Sequence, residues 1–170
     1  TSRVQWGKVG LIVRTVVALA MAAALWAASP EYERARKLYD RTDFDGSLAI
    51  LLKLEPKDAA THQLIGRNYY MQGDFRRATE WLEKAVAADP SSSAHALWLG
   101  RAYGRRAETS SFLTAPRYAG KARQYFEKAV QLDPDNEEAA NDLFEYYLQA
   151  PGFLGGGYEK AAALAERIAA

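Results

Sequence analysis

The stretch ATHQLIGRNYYMQGDFRRATEWLEKAVAADP, Ala60–Pro90, constrains the fold more than any other part of the chain. Gly66 and Ala78 are small, Tyr69, Leu82 and Ala85 recur at helical spacing beside them, and QGDF interrupts the pattern between the two halves. The spacing predicts two antiparallel helices that approach closely at Gly66 and Ala78, with larger side chains filling the space beside that contact. Asp74 is placed to cap the second helix, and the DPSS that follows ends it and starts the next. A hairpin of this kind cannot bury its apolar face alone, so the reading requires stacked neighbours.

Neighbours are present on both sides. Leu99-Gly100 and Tyr103 repeat the pattern of the first helix, and Ala122, Phe126, Ala129 and Pro134 repeat the second. The glycine-to-alanine step is 22 residues here against 12 in the preceding unit, which places ten extra residues in RRAETSSFLTAPRYAG, between the two helices. A further unit begins near Glu137, with Leu143, Phe144 and Tyr147 on its first helix and Ala161 opening its second. Phe144 stands where the small residue belongs, so packing there must differ. Upstream, EYERARKLYDRTDFDGSLAILLKLEP is a degenerate unit whose second helix is about one turn short.

These spacings resemble the 34-residue tetratricopeptide (TPR) repeat. The segments SFLTAPRYAGKARQYFEKAVQLDPDN and YYLQAPGFLGGGYEKA are similar to a recurring bacterial subtype that has these same two insertions and no defined biochemical activity. The resemblance implies an all-α fold, a TPR-type α-solenoid of about four helical hairpins over residues 30–170, and a protein-binding role. The units run over about 30–58, 59–92, 93–136 and 137–170.

The solenoid is preceded by VGLIVRTVVALAMAAALWAA, Val9–Ala28, with Arg14 as its only charge. Twenty residues at about 1.5 Å each cross the hydrocarbon core of a bilayer. Arg14 is near enough to one end to snorkel, and Trp6 and Trp26 bracket the run as interfacial anchors. Arg3, Lys8 and Arg14 put positive charge on the amino-terminal side, so the expectation is a single-pass inner-membrane protein, N-terminus cytoplasmic and repeats periplasmic. A cleavable signal peptide has the same charged start and apolar middle, with Ala22-Ala23-Ala24 as a cleavage site. Either reading exports residues 30–170.

Catalytic chemistry finds no support. The 170 residues carry 22 Lys+Arg against 21 Asp+Glu, a balance that gives no field for nucleic acid, and no cysteine for disulfides, thiolate metal sites or attached haem. In QAPGFLGGGYEK, Gly152 and Gly157 have the four-residue gap of a phosphate loop, but Tyr158-Glu159 replaces the required Lys-Ser/Thr and no strand precedes. A glycine-rich turn between two helices accounts for it. His62 and His95 lack companion ligands, DPDNEE lacks the central glycine and final glutamate of a calcium loop, and no serine has a convergent His and Asp. The reading is a non-enzyme without cofactor or metal.

In the TPR family the first helix of each repeat lines a concave groove, so the resemblance assigns partner contacts by repeat position. These are Gln63, Arg67, Tyr70 and Met71 in the second unit, Trp98, Arg101 and Arg105 in the third, and Asn141, Asp142, Glu145 and Leu148 in the fourth. The carboxylate clamp of chaperone-binding TPRs is not reproduced, since Gln63 and Leu97 stand where its lysines belong. Arginine and large aromatics are the types enriched at binding hot spots, although rings at this spacing also serve as core between repeats. Six basic residues and one acid lie between Arg101 and Arg123, and six acids and no base between Asp133 and Glu145. A basic loop of this kind suits anionic headgroups, an acidic partner surface, or solvent alone. Two functions fit: a membrane-anchored scaffold that recruits or positions another protein, or a structural accessory subunit of a respiratory, photosynthetic or envelope assembly. The small residues Ala18, Ala20 and Ala22–Ala24 make close packing of the span against other helices feasible.

Overall fold

The computed structural model describes residues 29–169. The span expected over Val9–Ala28, with Trp6, Arg14 and Trp26, lies outside them. Among the described residues no helix is long and apolar enough to cross a membrane.

Eight α-helices follow one another: α1 (Pro30–Asp40), α2 (Phe44–Leu51), α3 (Ala59–Met71), α4 (Phe75–Ala88), α5 (Ser93–Glu108), α6 (Ala115–Leu132), α7 (Glu137–Gln149) and α8 (Tyr158–Ala169). A short 3-10 turn, Gly152–Leu154, lies between the last two, and no strand occurs among the described residues. Local chemistry explains where helices begin. The side chains of Ser29, Asp43, Asp58, Asp74, Ser92 and Asn136 each accept from the backbone N–H three residues on, satisfying a donor that the helix itself leaves free. α6 has no such cap and starts instead with Pro116 in its first turn, where a missing N–H is harmless.

Each odd-numbered helix packs against the even-numbered helix after it, and each even one against the next odd one, giving four stacked hairpins. Close approach within a hairpin depends on glycine. A Cβ on Gly66 would come within 2.6 Å of Leu82 Cγ, and one on Gly100 within 2.7 Å of the Phe126 ring. In the fourth hairpin Phe144 takes the glycine position, and Ala165, at the position of Leu82 and Phe126, is exposed.

The ten residues inserted in the third repeat form mostly helix rather than loop. Three extend the end of α5, four extend the start of α6, and only three lengthen the connection, Thr109–Thr114. The first repeat departs in the opposite direction, with an α2 of 8 residues against 14 in α4.

A polar device repeats between hairpins. The Tyr103 hydroxyl on α5 donates to the Glu83 carboxylate on α4 and accepts from Lys121 Nζ on α6 at 2.7 Å. One repeat on, the Tyr147 hydroxyl on α7 donates to Glu127 on α6 at 3.0 Å, and Lys160 on α8 faces the Tyr147 ring. Arg77 stacks on Tyr69 at the equivalent place one repeat earlier, at 4.5 Å. Burial and the carboxylate together raise both phenols, Tyr147 to about 12. The hydrogen bonds thus join the second helix of one repeat to the first helix of the next and set the register of stacking.

The backbones of successive first helices also approach one another directly, α1 with α3, α3 with α5 and α5 with α7, whereas those of successive second helices do not. That asymmetry curves the stack and places α1, α3, α5 and α7 on its inner side.

Candidate binding groove

The inner face is organised around Arg67 on α3. Its guanidinium lies 4.5 Å from the centroid of Trp98 on α5 and 4.7 Å from that of Tyr39 on α1, so one cation is held between two rings from two neighbouring repeats. Its Nε is buried and has no hydrogen-bond partner, and among the described residues no carboxylate lies within ion-pairing reach of it. Stacking fixes the position of this charge without neutralising it.

Trp98 is the centre of the cluster. Tyr70 meets it edge-to-face at 5.6 Å and meets Phe75 in the same manner at 5.5 Å, and the Arg101 guanidinium lies over the Trp98 ring at 5.0 Å. Burial raises the Tyr70 phenol above its ordinary range. Arg101 differs from Arg67 in being fully paired. It donates from Nε to Asp142 at 2.5 Å and from a terminal nitrogen to Glu138 at 2.9 Å, both on α7. Arg105 lies over Phe75 at 5.1 Å and pairs with Glu108 on its own helix.

The structure therefore brings Arg67, Tyr70, Trp98 and Arg101 into one contiguous surface. Gln63 is half-buried one turn before Arg67, and Met71 and Leu148 are each 49 % exposed. Asn141 and Glu145 are exposed on α7 and take no part in holding Arg101. Tyr39, Phe75 and Glu138 belong to this surface and were not singled out from the sequence. Tyr39 had a legible signal. Aligning the cap Asp43 with the cap Asp74 places Tyr39 at the repeat position of Tyr70. The charge segregation seen in the sequence is partly resolved here as well, because Arg101 from the basic segment is paired with Glu138 and Asp142 from the acidic one.

The histidines lie away from this face. His95 is buried, His62 packs against Trp81 at 5.7 Å, and burial lowers both imidazoles below their ordinary range. The glycine-rich segment is a turn: Gly155 and Gly157 take positive φ, and the Gly157 N–H donates to the Tyr147 carbonyl at 2.8 Å.

Comparison with known proteins gives a consistent picture. Residues 59–92 match a tetratricopeptide repeat, and residues 118–136 match one again. No curated protein matches the sequence. Among solved structures, a thermophilic TPR protein of Thermus thermophilus superposes with a TM-score of 0.67 at 20 % identity, over 81 % of this chain and 71 % of that one. The first TPR of Spaghetti (RPAP3) bound to the HSP90 peptide SRMEEVD superposes with 0.58 at 20 % identity, over 68 % and 86 %. A human IFIT1 dimer with PPP-AAAA gives 0.69 at 20 % identity over 82 % of this chain, which spans 31 % of that protein. At these identities the likeness is one of fold.

Proposed function

We propose that this chain, a tetratricopeptide-repeat protein, is a scaffold that holds a partner protein against the inner face of its solenoid, tethered to the inner membrane by residues 9–28 with the repeats in the periplasm. The observation that carries the binding role is Arg67. A half-buried guanidinium stacked between Tyr39 and Trp98, with no carboxylate partner among the described residues, offers an unneutralised charge to an acceptor from outside. The surrounding rings supply apolar area, and the paired Arg101 keeps α5 and α7 in place beside it. A TPR structure of the same fold, that of RPAP3, holds a peptide of HSP90. The tether rests on the length and flanking residues of the apolar run.

A photo-crosslinking residue at the exposed Met71 tests the groove in cells. The expected result is a discrete adduct with one partner, lost on Arg67→Glu or Trp98→Ala and retained on Glu145→Gln. Adducts that ignore Arg67 and Trp98, or none at any exposed groove position, defeat the reading. Resistance of the full chain to alkaline carbonate extraction, with the repeats open to protease only after the outer membrane is breached, tests the tether. A stoichiometric complex surviving mild detergent identifies the partner as a fellow subunit.

A further inference from the structure

The outer side of the solenoid carries a second feature, independent of the groove. Between α6 and α8, over α7, an apolar cleft of about 780 Å³ is lined by Val130, Leu143, Tyr147 and Leu164, with the exposed Lys160 and Arg167 beside it. The corresponding place one repeat earlier, between α4 and α6 over α5, is covered by aromatic rings. Tyr118 and Tyr125 lie parallel to Tyr103 on its two sides, with centroids at 6.1 and 5.9 Å and interplanar angles of 19° and 10°.

Placing Ala161 of the last hairpin on Ala122 of the third puts Gly157 where Tyr118 stands and Leu164 where Tyr125 stands. The fourth repeat thus keeps the central tyrosine, its carboxylate acceptor Glu127 and its lysine, and lacks both flanking rings. Without those two rings, Tyr147 borders the apolar cleft directly. The charges beside it are asymmetric. The one acid, Glu127, already accepts from Tyr147 and lies 3.8 Å from Arg123. Arg167 has no carboxylate partner among the described residues, and Lys160 donates to the Gly155 carbonyl at 2.9 Å with two further N–H groups to give.

We propose that this cleft receives an aromatic side chain of a partner polypeptide, stacked on Tyr147 as Tyr125 stacks on Tyr103. A carboxylate next to that ring pairs with Lys160 and Arg167. Parallel stacking on a half-buried ring adds to the area it covers, and two cations flanking an apolar slot select an acidic neighbour over a basic one. A second copy of this chain is the alternative occupant, because its Tyr158 is 79 % exposed and is followed by Glu159.

The test uses the full chain in nanodiscs and the probe N-acetyl-aspartyl-4-fluorophenylalanine amide, followed by fluorine NMR. The fluorine line should broaden and shift with millimolar or tighter affinity. Leu164→Tyr supplies internally the ring found at Tyr125, so it should weaken the probe by about tenfold or more. Arg167→Gln, at an exposed position, should weaken the aspartyl probe about three-fold or more and leave a control probe with asparagine in place of aspartate, N-acetyl-asparaginyl-4-fluorophenylalanine amide, unchanged. The proposal is overturned by a line unaffected at ten times the protein concentration in the millimolar range, or by equal binding to wild type and Leu164→Tyr. It is overturned equally if the chain self-associates in sedimentation and Tyr158→Ala and Leu164→Tyr each abolish that association, since the occupant is then a second copy.

Discussion

Gly100 and Phe126 are in direct contact across the third hairpin, so close that a Cβ on residue 100 would come within 2.7 Å of the ring. Gly104, one turn further along the same helix, has only the Ala122 Cβ within reach, at 4.0 Å. Substitution by alanine should therefore have opposite signs at the two sites. Gly100→Ala gains about 1 kcal/mol of helix propensity and loses about 1–3 kcal/mol to overpacking, a net destabilisation. Gly104→Ala gains the same propensity with no clash and should stabilise by up to about 1 kcal/mol. Urea unfolding of the two variants reads both signs.

Thr42 adopts φ 62° in the turn of the first hairpin, where the second has Gly73 at φ 79°. A β-branched residue is strained in that region, so Thr42→Gly should raise stability by about 0.5–1 kcal/mol despite the added freedom of the unfolded chain. Gly73→Ala has room for its methyl but not the favoured backbone, and should cost about 1 kcal/mol. A thermal midpoint that falls for Thr42→Gly contradicts the argument.

Tyr103 links three helices through one hydroxyl. Tyr103→Phe leaves the Glu83 carboxylate with Lys121 alone, 3.6 Å away and substantially exposed, and should cost about 1–2 kcal/mol. The loss should appear as earlier hydrogen exchange in α5 and α6 relative to α1 and α2. Uniform acceleration across the chain would mean that the triad does not act as a register between repeats.

His95 is buried with an unpartnered Nδ1, and burial lowers its pKa from 6.5 against the weaker opposing pull of Asp89 and Asp58. The unfolded chain then binds the proton more readily than the folded one, so stability rises with pH across the window between the two values. The His95 contribution is complete above pH 6.5 and is lost as pH falls from there through the folded value. His62 shifts in the same direction, with burial first and Lys84 second among the causes. Chemical denaturation between pH 7.5 and 5 should show a decline that His95→Gln flattens; an unchanged slope in that variant removes the histidine from the account.

The sequence by itself determined the hairpins. Their helices begin at short polar caps such as Asp58, Asp74 and Asn136, and they pair through small residues such as Gly66 and Ala78, all of which act within a few residues or one hairpin. It also carried the last repeat's departure, since Phe144 stands where the small residue belongs. The inserted segment was misplaced as connection because TSSFLTA has no helical stripe, yet most of the added length joined α5 and α6, whose exposed turns continue the flanking helices. Tertiary structure alone decided the groove. Arg67 and Arg101 occupy the same repeat position and look equivalent in the sequence, yet one is stacked and unpaired while the other is neutralised by Asp142 and Glu138. Which of these an arginine becomes depends on what the next helix presents across the curvature of the stack. That curvature is a property of how hairpins lean on one another, and no single repeat encodes it.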